Sequence, residues 1–516
     1  MPRFFNTAGP CRPEIHYTVD PLPRLSGIRE LIDGQHYFVI HAPRQTGKTT
    51  YLYALMHALN REGCYTALQV NIQSAASGRH PQDAMRIAAM AMYDQALRFL
   101  PPAEQPPNPR PLDWTQEDGL RSYLTAWART CPKPLVLFID EADSLLDDLF
   151  LALLRQLRAG FEARPTHFPQ SIALVGLRDV RDYKIRLRPD VASLGAGSPF
   201  NIKTKSLTFD NFSIAEVQDL LQQHTADTGQ AFPPDVQQEI YRLSQGQPWL
   251  TNAIANQIVA EILHNDYSQP ITLAHVTQAK EDLIERRDTH LDSLIDKLRE
   301  DRVRPIIMAI MNGSTLESDR LNDDLAYIQD LGLITHQPPI RFANPIYAEI
   351  IPRVLSYAWQ LSFNSDLVEP LWYIDNGKLD LDALLRAFQK FYRRHSEAWL
   401  EKYDFREVGR QLLLMAFLQR IINAGGQIER EMAVGNGRCD LVVDYGGERH
   451  LIELKLNRDQ WSREDGLEQC ARYASRLGLS EGHLVLFEIR AGIPWETRLK
   501  REEEQVDGTR IIVWGM

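Results

Sequence analysis

Two groups of residues in this 516-residue chain have the types and spacing to handle phosphate. The first is the run Ala42, Pro43, Arg44, Gln45, Thr46, Gly47, Lys48, Thr49 and Thr50. It fits the phosphate-cradling loop pattern, with alanine at the place of the first glycine. Gly47 allows backbone N–H groups to curl closely around a β-phosphate. Lys48 brings an ammonium to the β- and γ-phosphates, and Thr49 brings a hydroxyl to Mg2+. A matching acidic pair, Asp140 and Glu141, ends the apolar run Leu135 to Ile139. Asp140 is the candidate to hold the Mg2+ shell, and Glu141 is the candidate base that orients and deprotonates an attacking water. A third apolar run, Ile172 to Val175, leads into Gly176, Leu177, Arg178 and Asp179. Arg178, with Arg181 second, is placed to touch a γ-phosphate.

The second group lies further along the chain. Asp440 opens the apolar run Leu441 to Val443, and Glu453 and Lys455 follow within a second β-prone run. In an alternating strand Glu453 and Lys455 point to one face. A hairpin through Tyr445, Gly446 and Gly447 would bring Asp440 beside them. Two carboxylates on neighbouring strands can hold Mg2+, or Mn2+, through oxygen ligands. The lysine can then orient the attacking water and stabilise charge in the transition state. Gln469 and Tyr473 stand four residues apart, so on a helix they share a face. Glu407 opens the helical stretch 408–422 and could aim a third carboxylate at the same metal, with Glu397 and Glu401 as rivals.

The elements that must position these groups are legible in outline. Strand, tight loop and helix are predicted over residues 37–59, with helical spacing of Leu52, Leu55, Met56 and Leu59. Strands alternating with helices predict a parallel, doubly wound sheet. Six prolines between Leu100 and Pro111 exclude a regular element there and predict an exposed loop. Ser213 and Glu216 are spaced as a capping box that opens a helix. The pattern then stays helical to about residue 295, broken at Gly246, Gln247 and Pro248. Residues 300–355 read as helices followed by a short turn-rich strand pair and another helix, and residues 380–424 as two amphipathic helices. From residue 426 strands return around one more helix.

Composition bounds the classes. Hydrophobic residues make up 44% and charged residues 24%, which excludes a mostly disordered chain. No apolar run is long enough for a membrane span, and the N-terminus lacks a signal-peptide core. The five cysteines are scattered without a CxxC pair, so a reducing, cytoplasmic setting is expected and a disulfide framework is not. Net charge is −11, which argues against a protein that coats nucleic acid. The charge is uneven: residues 371–516 carry 22 Lys+Arg against 24 Asp+Glu, and 17 of those cations are arginine. Arginine's planar fork suits phosphate, so this part is the better place for a polyanion.

The loop at 42–50, the acidic strand end at 140–141, residues 175–182 and the Gly246 to Pro248 turn together resemble the AAA-like ATPases of the STAND and archaeal-type group, over roughly residues 15–355. The resemblance implies an ATP-binding α/β core at 1–212, a helical lid at 213–295 and a winged-helix-like module at 296–365, with Pro248 starting a lid helix near the nucleotide. The later run is similar to the PD-(D/E)XK nuclease superfamily, in the branch with a QxxxY motif, within an α/β domain at 366–516. That likeness implies Asp440 and Glu453 as metal ligands, Lys455 as catalytic lysine and Glu407 as the helix acid, with Gln469 and Tyr473 beside the site or the DNA strand. The proline of the family's name is absent, and Cys439 precedes the aspartate. The expectation is an ATP-regulated, Mg2+-dependent DNA nuclease, possible as a homo-oligomer or with a partner protein, in genome defence or mobile-element biology. The alternative is an ATP-dependent switch or adaptor that binds nucleic acid without cutting it. RNA is the second substrate.

Overall fold

The computed structural model describes residues 2–145, 147–177, 203–286, 297–298, 300–311, 322–351, 373–375, 378–402, 414, 417–418, 427–434, 437–457, 461–488 and 493–516. The chain divides into two compact units. One comprises residues 1–294 and 317–346, the other residues 295–316 and 347–516.

The first unit is built on a five-stranded sheet: β1 (Tyr37–His41), β2 (Thr66–Asn71), β3 (Leu135–Asp140), β4 (Ser171–Gly176) and β5 (Lys203–Thr208). Their spatial order is β2-β3-β4-β1-β5, and every pairing is parallel. β3 and β4 are buried along their whole length. That burial is why they read as continuous apolar runs rather than alternating ones. Helices α1 (Ile28–Asp33), α2 (Lys48–Glu62), α3 (Pro81–Phe99), α4 (Gly119–Thr130) and α5 (Asp147–Gly160) complete the core. The strand β2 was not foreseen. Its sequence, Thr66 to Asn71, carries two polar residues, Thr66 and Gln69, that are buried and bonded in place.

The proline-rich loop is exposed in part, as expected, but not throughout. Glu104, Pro106 and Pro109 are buried. Glu104 accepts from Thr66 Oγ1 at 2.7 Å and from Lys133 Nζ at 2.6 Å, and its carbonyl accepts from Trp127 Nε1 at 2.9 Å. A buried carboxylate is tolerated when it is paired and bonded, and here it pins the loop to the core.

Helices α6 (Ile214–Thr228), α7 (Pro234–Ser244), α8 (Pro248–Asn256) and α9 (Leu273–Arg286) follow. Ser213 and Glu216 form the reciprocal capping box that the sequence implies. Gly246 has φ +70°, and a Cβ there would lie 1.9 Å from the carbonyl oxygen of Phe212, so the turn before α8 requires glycine. α10 (Asp323–Asp330) also belongs to this unit, and an isolated bridge joins Ile334 to Phe342. The expected strand pair in this region is reduced to that bridge.

The second unit holds the hairpin β6 (Ile374–Asp375) and β7 (Lys378–Leu379), and the helix α11 (Leu381–Lys402). Its main sheet has six strands: β8 (Gln427–Val434), β9 (Gly437–Tyr445), β10 (Glu448–Asn457), β11 (Glu481–Glu488), β12 (Arg501–Val506) and β13 (Thr509–Gly515). Their order is β12-β13-β11-β10-β9-β8. β10, β11 and β13 run parallel, while β8, β9 and β12 add antiparallel edges. α12 (Trp461–Arg476) connects β10 to β11. Alternate strand residues feed two apolar layers. Leu441, Val443, Ile452 and Leu454 pack with Leu384, Leu385 and Phe388 of α11. Val442, Leu451, Leu484 and Leu486 pack with Leu467, Cys470 and Ala474 of α12. The strand β12 was missed from sequence because its Glu502, Glu503 and Glu504 suggest a loop. They are held as an edge by Arg463, Arg501 and Arg510. Among the described residues no helix is long and apolar enough to cross a membrane.

Candidate functional sites

The nucleotide-type site forms where β1 stops. Gln45 (φ +60°) and Gly47 (φ +89°) turn the chain through left-handed conformations, and α2 begins at Lys48. The loop closes on itself, with Thr46 Oγ1 donating to the Pro43 carbonyl at 2.9 Å. Lys48 is buried, and its Nζ donates to the carbonyls of Ala42 and Pro43, each at 2.6 Å. Burial pushes its pKa down to about 8, against the pull of Asp140, Glu141 and Asp143. Arg44 is exposed at the loop's tip.

Two strands over, β3 ends in Asp140, which is 2% exposed. Its Oδ2 accepts from Thr49 Oγ1 at 2.9 Å and from Gln69 Nε2 at 3.3 Å. The hydroxyl and carboxylate chosen from sequence as Mg2+ partners therefore meet. Both are hard oxygen donors on rigid elements, and this donor set fits Mg2+. Burial raises the pKa of Asp140 above the ordinary carboxylate value. Glu141 adopts φ +55°, and its N–H donates to Asp140 Oδ1 at 3.0 Å. Its carboxyl is also pushed up, first by burial and then by Asp143 and Asp140. Raised basicity is compatible with the general-base role expected of Glu141 from sequence.

Further contacts tie this site to the rest of the unit. Asp143 Oδ2 accepts from Leu177 N at 2.8 Å, tying the end of β4 to the acidic strand end. Thr50 Oγ1 accepts from Cys11 N at 3.0 Å, and Trp249 Nε1 donates to the Thr7 carbonyl at 2.9 Å. The N-terminal segment thus spans from α2 to the start of α8, where Pro248 occupies the first turn and Gln247 caps Leu250 N at 2.5 Å. Pro43 is touched from another side: a Cβ on Gly332 would lie 2.7 Å from its ring. Arg178 and Arg181 lie outside the described residues.

The second site lies on the α12 face of the mixed sheet. β9 and β10 pair antiparallel through the Tyr445–Glu448 turn as far as Leu441 and Ile452. Beyond that point the ladder is replaced by side-chain bonds. Asp440 N donates to Glu453 Oε2 at 3.3 Å, and Leu454 N donates to Asp440 Oδ2 at 2.8 Å. Lys455 Nζ lies 3.9 Å from Glu453 Oε1. Asp440, Glu453 and Lys455 are therefore together on one face, as the hairpin argument required. Glu453 is 0% exposed, and its Oε1 has no hydrogen-bond partner among the described residues. Burial, then the neighbouring Asp440, pushes its carboxyl well above the usual range. A fully buried carboxylate beside a second, half-buried one is costly unless positive charge compensates it, and the Lys455 ammonium supplies only part of that at 3.9 Å. This donor set fits a hard divalent cation. Among the described residues no three His, Cys, Asp or Glu side chains form a ready cage.

α12 lies across this face. Gly466 lets it approach: a Cβ there would lie 3.1 Å from Lys455 Cγ. One turn on, Gln469 Nε2 donates to Tyr473 Oη at 3.1 Å, confirming that the two share a helix face. Glu407 lies outside the described residues. Glu397 and Glu401 fall within α11, and only their backbone is described.

A parallel sheet with a phosphate-cradling loop after an inner strand, a hydroxyl-bearing helix start and an acidic end on the strand two places over defines a P-loop nucleotide-binding domain. The family model described as "AAA domain" matches residues 31–183, so this region is an AAA-type P-loop ATPase domain. Solved structures of low identity also align with the chain. One is the Walker-type ATPase PABY2304 of Pyrococcus abyssi, at 14% identity over 67% of this chain and 99% of that one, with a TM-score of 0.47. Another is the Aeropyrum pernix ORC2 protein in ADPNP-ADP complexes, at 14% identity over 66% of this chain and 96% of that one, with a TM-score of 0.40. The Thermotoga maritima RuvB Holliday junction branch migration motor aligns at 14% identity over 64% and 91% of the two chains, with a TM-score of 0.32. No curated protein matches the chain.

Proposed function

We propose that the protein is an ATP-binding and ATP-hydrolysing switch joined to a metal-dependent nuclease domain that cleaves DNA. The observation that carries the second half is the meeting of Asp440, Glu453 and Lys455 on one face, with Glu453 Oε1 buried and, among the described residues, facing the Lys455 ammonium at 3.9 Å without a hydrogen bond. Gln469 and Tyr473 on the covering helix add support. Together with the loop at 42–50, this makes two phosphate chemistries in one polypeptide.

In the first unit Thr49 and Asp140 would hold Mg2+, which when bound neutralises phosphate charge. Lys48 offers its ammonium to the phosphates once it leaves the Ala42 and Pro43 carbonyls. Glu141 accepts the proton of the attacking water. In the second unit Asp440 and Glu453 would hold Mg2+ or Mn2+, which when bound supplies Lewis-acid stabilisation of the phosphodiester. Lys455 orients the attacking water and offsets charge on the phosphate oxygens. The arginine-rich composition of residues 371–516 suits a nucleic-acid backbone. A nucleotide switch over a nuclease supplies different contacts in two states, which is what regulation of cleavage requires.

The test is a cleavage assay across single-stranded, double-stranded and RNA substrates, with Mg2+ or Mn2+ and with or without ATP. Lys455→Ala is expected to lower cleavage by at least about a hundredfold. Intact DNA with wild-type protein, alongside retained metal-independent DNA binding, would instead make the chain an adaptor. Preferential cutting of RNA would change the substrate and keep the chemistry.

A further inference from the structure

Arg24 lies in a segment that neither candidate site absorbs, between the N-terminal strap and α1. Its side chain is only 9% exposed. One arm, Nη1, donates to the Thr46 carbonyl inside the phosphate loop at 3.3 Å, and a Cβ on Gly47 would lie 3.5 Å from the same atom. The other arm, Nη2, donates to the Asp210 carbonyl just past β5. The guanidinium lies over the rings of Phe212, 4.8 Å from its centroid, and Phe209, at 5.4 Å. Its Nε is 3.8 Å from Glu216, the acid of the capping box that starts α6. Phe212 N in turn donates to the Gly246 carbonyl at 2.7 Å, in the turn that launches α8. A single planar cation therefore bridges the backbone of the phosphate loop to the segment on which the Gly246–Pro248 turn is hung.

We propose that Arg24 is a positioning residue that couples the phosphate loop to the α6–α8 helical module, so that nucleotide in the loop alters the turn at Gly246. The forked guanidinium is what the geometry uses, because two carbonyls in different segments are bonded by different arms while the flat face stacks on phenylalanine. A lysine keeps the charge but cannot reach both carbonyls and stack. The inference rests on the reading of the first unit as a nucleotide-hydrolysing module.

The experiment uses the full chain with Mg2+ and ATP or ADP, comparing wild type, Arg24→Lys, Arg24→Gln and Lys48→Ala. Three quantities are read: affinity for a fluorescent ATP analogue, steady-state ATP turnover, and amide hydrogen exchange of residues 244–256 with and without nucleotide. Arg24→Lys is expected to bind ATP within about threefold of wild type while kcat falls by about tenfold, and Arg24→Gln is expected to lose more of both. In Arg24→Lys the nucleotide-dependent change in exchange at 244–256 should vanish, although nucleotide is bound. Wild-type turnover with a wild-type exchange response in Arg24→Lys overturns the proposal. So does loss of affinity accompanied by faster exchange throughout the unit regardless of nucleotide, since that is what a merely structural brace would give. If wild type itself neither binds nor hydrolyses ATP and Lys48→Ala behaves identically, the nucleotide-site reading falls and the coupling falls with it.

Discussion

Glu453 is the side chain on which the chemistry proposed for the second unit turns. Its burial beside Asp440 holds the carboxyl above its ordinary pKa of 4.5. The unfolded chain ionises it near that ordinary value, so between there and the raised folded pKa the native state holds the extra proton. Stability from this group is complete below about pH 4.5 and is lost as pH rises through the folded pKa. Glu453→Gln removes the ionisable group while keeping its shape. In EDTA at pH 8 the variant is expected to melt roughly 2–4 °C higher than wild type, and at pH 4.5 the two should coincide. Adding Mn2+ should raise the melting temperature of wild type and leave that of Glu453→Gln unchanged. A wild type insensitive to Mn2+ by calorimetry would remove the metal site. At this scale the sequence was informative where a residue's role depends on its own type and its near neighbours. Thr49 and Asp140 meet, as a hydroxyl after the loop glycine and a carboxylate at the end of an apolar strand implied. Gln69, Asp143 and Arg24 went unnoticed because their partners lie 71, 34 and 186 residues away, and nothing local marks them.

Among the elements, the Gly246 turn and helix α6 are the most constrained. Gly246→Ala forces a Cβ onto the Phe212 carbonyl and into a left-handed backbone. A loss of at least about 2 kcal/mol in unfolding free energy is expected by denaturant titration, larger than an ordinary loop substitution gives. Helix α6 carries His224, 1% exposed, ringed by Phe5, Tyr17, Phe232 and Tyr267 and bonded through Nε2 to Gln230 at 3.0 Å. Burial lowers its pKa despite the nearby Asp227, which itself pairs with Arg3. The unfolded chain therefore takes up the proton first as pH falls, so stability from neutral His224 is present above about 6.5 and declines below it. His224→Gln should flatten the fall in urea midpoint between pH 7.5 and 5.5. An unchanged slope would show that another group is responsible. Apolar periodicity found α2 and the fully buried strands β3 and β4, because those patterns are set by which face is covered. It missed β2 and β12, where Thr66 and Glu504 find partners far away in the sequence.

For the whole molecule, the consequence expected of the two proposed phosphate sites is directional. Lys48→Ala should abolish ATP turnover and remove any effect of ATP on DNA cleavage. Lys455→Ala should abolish cleavage and leave ATP turnover within about twofold of wild type. Cleavage by wild type that is identical with and without ATP, in assays where ATP is being consumed, would separate the two activities. DNA affinity should also fall steeply with salt, since a chain of net charge −11 must hold a polyanion through a local cluster of arginines.

The sequence alone determined the loop that could cradle phosphate, the acidic strand end opposite it, the hairpin at Gly446 and Gly447, and the Glu453–Lys455 alternation. Each follows from local steric and periodic rules that act within about ten residues of chain. Only the tertiary structure decided that Asp440 replaces a ladder bond to Leu454, that Glu453 is sealed from water, and that Gly466 brings α12 down onto Lys455. It likewise decided that Arg24 reaches the loop from one side and Asp210 from the other. Those outcomes depend on burial and on long-range bonds, and a buried polar group declares its partner only once the chain has closed around it.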